Sequence, residues 1–154
     1  MAKSIINIVN ISKRFIDRVL LDDVNLLIEE KSKIGMIGRN GAGKTTLLKI
    51  LMGIEEADDG EVIFSDDVRI GYLRQQGDFD ESEKVIDYLV RVSGKESWKC
   101  SKIASRFGID HIKVNYNIGS LSSGYRMRVK LAEMMLEEPN FLILDEPSNF
   151  LDLN

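Results

Sequence analysis

The stretch GRNGAGKT (38–45) decides the fold, because it fits the pattern G-x-x-x-x-G-K-[ST]. A short apolar run, KIGMIG (33–38), leads into it and reads as a strand. After it, KTTLLKILMG (44–53) has helical spacing, with Leu47, Ile50 and Leu51 on one face and Gly53 as the stop. A glycine-rich turn between strand and helix is the context such a loop requires. Gly38, Gly41 and Gly43 allow backbone angles that other residues resist. The backbone N–H groups then turn inward and form a nest for an anion. The helix that follows adds the partial positive charge of its N-terminus. Lys44 is placed to reach β- and γ-phosphates, the Thr45 hydroxyl to hold Mg²⁺, and Thr46 to add a donor.

The second half of such a site lies near the other end of the chain. In LILDE (142–146), an apolar run read as a fully buried strand (141–144) ends in two carboxylates. A strand-end acid can hold Mg²⁺, which gives Asp145 its expected role. Glu146 is then placed to polarise an attacking water as a general base. Taken alone, this pair reads equally as the solvated start of a loop.

Outward from these two stretches the elements follow by pattern. SIINIVNI (4–11) and VNLLIEE (24–30) read as strands, with a turn expected at LDD (21–23). EVIFS (61–65) and VRIGYL (68–73) read as two short strands. Residues 82–107 read as two helices broken at Ser93-Gly94. SGYRMRVKLAEMMLEE (123–138) reads as a long helix with Met127, Leu131, Met134 and Met135 as its core stripe. Strands that look antiparallel, followed by strand–helix alternation, predict an α/β domain with a parallel sheet.

Bulk properties agree with one soluble domain. The chain has 154 residues, 44% apolar and 30% charged, and a net charge of −4. That charge creates no global attraction for nucleic acid, so any such contact needs a local basic patch. No apolar run approaches the roughly 20 residues of a membrane span. The first residues lack the pattern of a signal peptide. Cys100 is the single cysteine, which rules out an internal disulfide and points to reducing cytoplasm.

Five ordered motifs resemble those of the ATP-binding cassette (ABC) family, over nearly the whole chain. GRNGAGKTT resembles its Walker A loop and LILDEP its Walker B strand. LSSGY (121–125) falls where the family has its signature, usually LSGGQ. YLRQ (72–75) falls at its Q-loop, and FLD (150–152) fits its D-loop. The resemblance implies a P-loop NTPase fold with a RecA-like core, N-terminal antiparallel strands and a small helical subdomain. The core would span 1–76 and 139–154, the helical subdomain 77–138. It implies ATP and Mg²⁺ as ligands. ATP would be bound by Phe15, Gly38, Arg39, Asn40, Gly41, Ala42, Gly43, Lys44, Thr45 and Thr46, with Phe15 stacking on adenine. Thr45, Gln75 and Asp145 would hold Mg²⁺. Glu146, Lys44 and Gln75 would be catalytic. Ser122, Ser123 and Gly124 would contact ATP held by a partner cassette, and Asp152 would be the D-loop acid. By composition alone, Phe15 reads as well as a core residue and Gln75 as a solvated one.

Within the family, DEPSNFLD (145–152) is similar to the DEPTNHLD of ABC-F proteins, soluble tandem cassettes acting on the ribosome. Asn149 and RNGAGKTTLLKIL favour that group, while transporter cassettes more often carry DEPTSALD. Ser123, Tyr125 and Phe150 depart from the family pattern. Only 45 residues separate Gln75 from Leu121, little room for the helical arm often inserted there in ABC-F first cassettes. The alternatives are an energising subunit of a transporter and a non-hydrolysing regulatory cassette. The resemblance also implies that a central strand carrying a switch histidine follows the D-loop. The sequence to Asn154 is therefore expected to be a cassette cut after its base, folding poorly and hydrolysing ATP weakly by itself.

Lys95, Lys99, Lys102 and Arg106 recur at helical spacing, beside a packing face of Cys100, Ile103, Ala104 and Phe107. With Trp98 at its edge, this stripe reads either as a contact for ribosomal RNA or as a solvated face with Trp98 turned into the core. His111, the single histidine, precedes the signature and reads as a loop or core residue.

Overall fold

The computed structural model describes residues 3–16, 18–73 and 79–145. The chain forms two compact units, residues 1–68 and 69–154.

The first unit is built on a three-stranded antiparallel sheet. Strand β1 (Ser4–Phe15) lies between β2 (Arg18–Glu29) and β3 (Asp59–Phe64). The hairpin turns between Phe15 and Arg18, its last rung, not at 21–23 as the sequence suggested. Ile16 takes a positive φ of 52° in that turn, a conformation no side-chain pattern announces for isoleucine. The Leu-Asp-Asp stretch lies inside β2 instead. There Asp23 (φ 48°) faces Asn10 of β1 (φ 53°), and the register slips between Ile8 and Ile11. The Asn10 side-chain amide donates to the Asp23 carboxylate, and the Asn10 backbone N–H donates to Asn25 Oδ1 at 3.0 Å. Side chains thus replace ladder bonds that the bulge breaks. The bulge also explains the core pattern of β1. Ile6 and Ile8 are buried two apart, but the next buried residue is Ile11, three further on. One extra residue resets the alternation of faces.

Gly60 of β3 sits against this bulge with φ +84°. After helix α1 (Lys44–Leu51), the segment leading to β3 is tied back by Lys13. Its ammonium reaches the Glu56 carbonyl (2.7 Å), Asp58 Oδ1 (3.1 Å) and Glu55 Oε1 (3.2 Å).

KIGMIG does not form a ladder. Residues 32–39 pair with no strand among the described residues, and Ile34, Met36 and Ile37 are exposed.

The second unit joins a parallel strand pair to a helical cluster. Strand β4 (Ile70–Tyr72) pairs with β5 (Phe141–Ile143). Parallel pairing needs a long crossover, and α2 (Val85–Ser93), α3 (Ser97–Arg106) and α4 (Ser123–Leu136) supply it. Gly94 closes α2 in the left-handed conformation (φ 64°), which realises the expected break at Ser93-Gly94. Val85, Leu89, Cys100, Ala104, Val129, Ala132 and Leu136 share one core. On α4 the buried face is therefore Val129, Ala132 and Leu136, with half-buried Tyr125 packed against it. Of the expected stripe, Met134 is buried, while Met127, Leu131 and Met135 are half-buried. Strand β5 also departs from expectation: Ile143 is buried, but Leu142 and Leu144 are exposed.

The turn before α4 has its own anchor. Lys113 Nζ bonds Asp110 Oδ2 at 2.6 Å, and the backbone N–H groups of Lys113 and Ile112 donate to Oδ1. These donors hold the Asp110 carboxyl at about 2, below its ordinary 3.8. A lowered folded-state value favours the fold above the ordinary carboxylate range, and that contribution is lost as pH falls through the folded value. Thermal stability should therefore drop between about pH 4 and pH 2, and Asp110→Asn should flatten that part of the curve. A wild-type slope unchanged by the substitution counts against the anchor.

Candidate functional site

The phosphate loop belongs to the first unit. Gly41 (φ 75°) and Gly43 (φ 94°) adopt left-handed conformations, and Gly43 caps α1. The loop closes on itself through Ala42 N–H to the Arg39 carbonyl at 3.1 Å. The first intrahelical bond runs from Leu47 N–H to the Gly43 carbonyl (2.9 Å), so the helix opens its amide end directly onto the loop. Lys44 turns back across it, donating to the carbonyls of Gly38 (2.7 Å) and Arg39 (3.0 Å). An ammonium folded over a ring of backbone amides is placed to exchange those carbonyls for phosphate oxygens. Thr45 is exposed and Thr46 half-buried beside it.

Strand β2 supplies the floor. A Cβ at Gly43 would lie 3.0 Å from Leu21 Cδ2 and 3.1 Å from the Leu20 carbonyl. Glycine is thus required there twice, for its φ and for the close approach. Arg18 Nη2 donates to the Gly41 carbonyl at 3.3 Å. Arg18 is also the cross-strand partner of Phe15. Phe15 is 49% exposed, with Lys13 Nζ 5.6 Å from its ring centre. It is not a core residue, and the hairpin rung places it beside the side chain that grips the loop. Sequence reasoning named Phe15 and Gly38–Thr46 as candidates but not Arg18, Leu20 and Leu21, which the structure places against the loop. Nothing in their local pattern marks them, because the bulged hairpin creates their contact.

The remaining expected residues belong to the second unit. Asp145 follows β5 and is half-buried. Ser122 is the N-cap of α4, its Oγ accepting from Tyr125 N–H at 3.4 Å. Ser122, Ser123 and Gly124 are exposed at the opening of that 14-residue helix, and a Cβ at Gly124 would meet open space. Tyr125, where the family has glutamine, turns into the helical core between Arg128 (4.8 Å) and Lys113 (5.3 Å). Arg126, missed in the sequence, braces the signature. Its guanidinium donates to the carbonyls of Leu121 (3.2 Å) and Gly119 (2.9 Å) and to Glu81 Oε1 (3.1 Å). His111 is an exposed loop residue. Gln75, Glu146 and Asp152 lie outside the described residues.

A glycine loop with left-handed turns, a folded-over lysine and a helix N-terminus define a P-loop nucleotide-binding domain. Sequence comparison narrows this further. The family model described as ABC transporter matches residues 21–149, and the chain belongs to that family, whose cassettes use ATP with Mg²⁺. The zinc import ATP-binding protein ZnuC of Haemophilus influenzae is 38% identical over 97% of this chain and 56% of its own length. The ATP-binding protein Uup of Buchnera aphidicola is 34% identical over 97% of this chain and 26% of its own. The chain thus spans about half of one relative and a quarter of the other. Among solved structures, a dimeric bacterial ABC transporter cassette matches with a TM-score of 0.76 at 22% identity, over 96% of this chain and 76% of that one. A nucleotide-free ABC transporter cassette matches with 0.75 at 22%, over 94% and 69%. These two likenesses bear out the expected cassette fold.

Proposed function

We propose that the chain is an ATP-hydrolysing cassette of ABC-F type acting on the ribosome, in translation or in protection of the ribosome from antibiotics. The observation that carries the ATPase reading is Lys44 folded over the Gly38 and Arg39 carbonyls at the head of α1. The left-handed glycines suit a triphosphate, and the close approach of Gly43 to Leu20 and Leu21 seats the loop on β2. In this reading the loop amides and Lys44 bind and orient the phosphates, and Phe15 stacks on the base. Thr45, Gln75 and Asp145 would hold Mg²⁺, which would neutralise charge on the transferred phosphoryl group. Glu146 orients the attacking water and takes its proton. Ser122, Ser123 and Gly124 cap ATP on a second cassette, with Asp152 in the D-loop between them. The nucleotide core would comprise 1–76 and 139–154, the helical subdomain 77–138, and the location would be cytoplasmic. Among the described residues no helix is long and apolar enough to cross a membrane.

The ribosome assignment rests on the likeness of DEPSNFLD (145–152), with its Asn149, and of RNGAGKTTLLKIL (39–51) to ABC-F proteins. The similarity to ZnuC over nearly the whole chain favours a second reading, an energising subunit of a transporter. Glu146→Gln separates these. It should retain ATP binding, lower turnover by about 10²–10⁴-fold, and sediment with ribosomes in ATP. ATP-bound Glu146→Gln protein that never sediments with ribosomes defeats the ABC-F reading. ATP binding without turnover in the full-length protein, with Glu146→Gln as control, would instead indicate a regulatory cassette.

A further inference from the structure

The outer face of α3 forms a groove against the end of α4, and its chemistry is that of a polyanion site. Cys100 and Ala104 are fully buried, which fixes the rotation of the helix. Lys99, Lys102 and Arg106 consequently project outward, within about 60° of one another around the axis and rising about 4.5 and 6 Å between successive cations. Lys95 enters just before the helix. Ile103, Met135 and Leu136 line the groove between these heads. Trp98 stands at the edge, 59% exposed, rather than turned into the core.

The carboxylates nearby are already engaged. Glu138 Oε1 accepts from Lys95 Nζ at 2.5 Å. Glu96 Oε2 accepts from the Trp98 indole N–H at 2.9 Å and lies 3.5 Å from Lys99 Nζ. Among the described residues, Lys102 and Arg106 form no ion pair. On a chain of net charge −4, this is a local inversion of sign beside an exposed ring.

We infer that this groove binds single-stranded RNA, with phosphates along Lys99, Lys102 and Arg106 and a base stacked on Trp98. A duplex keeps its bases within its own stack and leaves the indole unused, whereas a single strand offers phosphates and open base faces together. An acidic peptide satisfies the cations but gives the indole no flat partner. The inference rests on the ribosome reading for the source of the RNA and on the groove for the chemistry.

Trp98 is the single tryptophan, so intrinsic fluorescence reports directly on the groove. The test titrates the chain, confirmed folded by its melting curve, with a twelve-nucleotide oligouridylate, the matching duplex and polyglutamate. Saturable quenching by the single strand is expected, with a logarithmic salt slope of about −2 for three phosphate contacts. Reversing Lys99, Lys102 and Arg106 to glutamate should weaken binding at least tenfold and flatten that slope. Trp98→Ala, followed by anisotropy of labelled RNA, should weaken it about 5- to 100-fold. Melting temperatures of both variants should match the parent. Absence of quenching, equal affinity for polyglutamate or duplex, or indifference to the charge reversal overturns the inference. Ribosome sedimentation in parallel separates the two readings. Ribosome binding that survives the charge reversal defeats the groove alone, and oligonucleotide binding without ribosome binding defeats the ribosome reading alone.

Discussion

Lys44→Ala should cut nucleotide turnover by about 10²–10³-fold while leaving the fold in place. The ammonium makes two hydrogen bonds to loop carbonyls, at 2.7 and 3.0 Å, and Lys44 is not among the buried core residues. Alanine is the best helix former, so the first position of α1 loses nothing intrinsic. What disappears is a flexible cation that can leave the Gly38 and Arg39 carbonyls and follow charge as it develops on a phosphate. Charge-assisted hydrogen bonds contribute about 1.5–3 kcal/mol, so ATP affinity should fall roughly 10- to 150-fold. Loss of a preorganised donor to the transition state should lower turnover by about 10²–10³-fold. Calorimetric titration with ATP, beside a melting curve, measures both. Unchanged ATP affinity in a folded variant would show that this loop is not the phosphate cradle.

The largest loss of stability is expected at a residue with no chemical role. Gly60 has φ +84°, and a Cβ there would fall onto the Val9 and Asn10 carbonyl oxygens, 2.5 Å from Asn10 C. Gly60→Ala therefore combines left-handed strain with a collision against backbone that cannot rotate away. About 3 kcal/mol is expected, a fall in melting temperature of roughly 6–12 °C for a chain of this size. Gly94→Ala is the matched control. It has φ +64° but nothing within 4 Å, so it carries the left-handed cost alone, about 1–2 kcal/mol. Equal effects at the two positions would mean that the bulge yields, and the close packing of β3 on β1 would then be worth little.

The contrast between these sites shows why some of the structure was legible in the sequence. The phosphate loop and α1 are local: three glycines, a lysine and a helical repeat specify them within sixteen residues. The break at Gly94 is local too, since one glycine ends α2. The bulge is not. Asn10 and Asp23 are thirteen residues apart, and only their pairing makes Leu-Asp-Asp part of a strand instead of a turn. On α4 the repeat alone put Met127, Leu131, Met134 and Met135 inward. Packing against α2 and α3 instead buries Val129, Ala132 and Leu136, with Met134 the one buried member of the expected stripe. The same limit applies to the candidate site. Phe15 was named as a candidate through its motif register, but Arg18 was not, because its contact with the loop comes from the hairpin that carries both.

That hairpin has a consequence for what the site can recognise. One rung joins Phe15 to Arg18, and Arg18 holds the Gly41 carbonyl. With Phe15 in its proposed role, base and phosphates are gauged from a single rigid arm, like the two jaws of a caliper. A phenyl face presents no donors or acceptors to read the edge of a base. The arm therefore measures the span from ring to phosphate and leaves the identity of the purine largely unread.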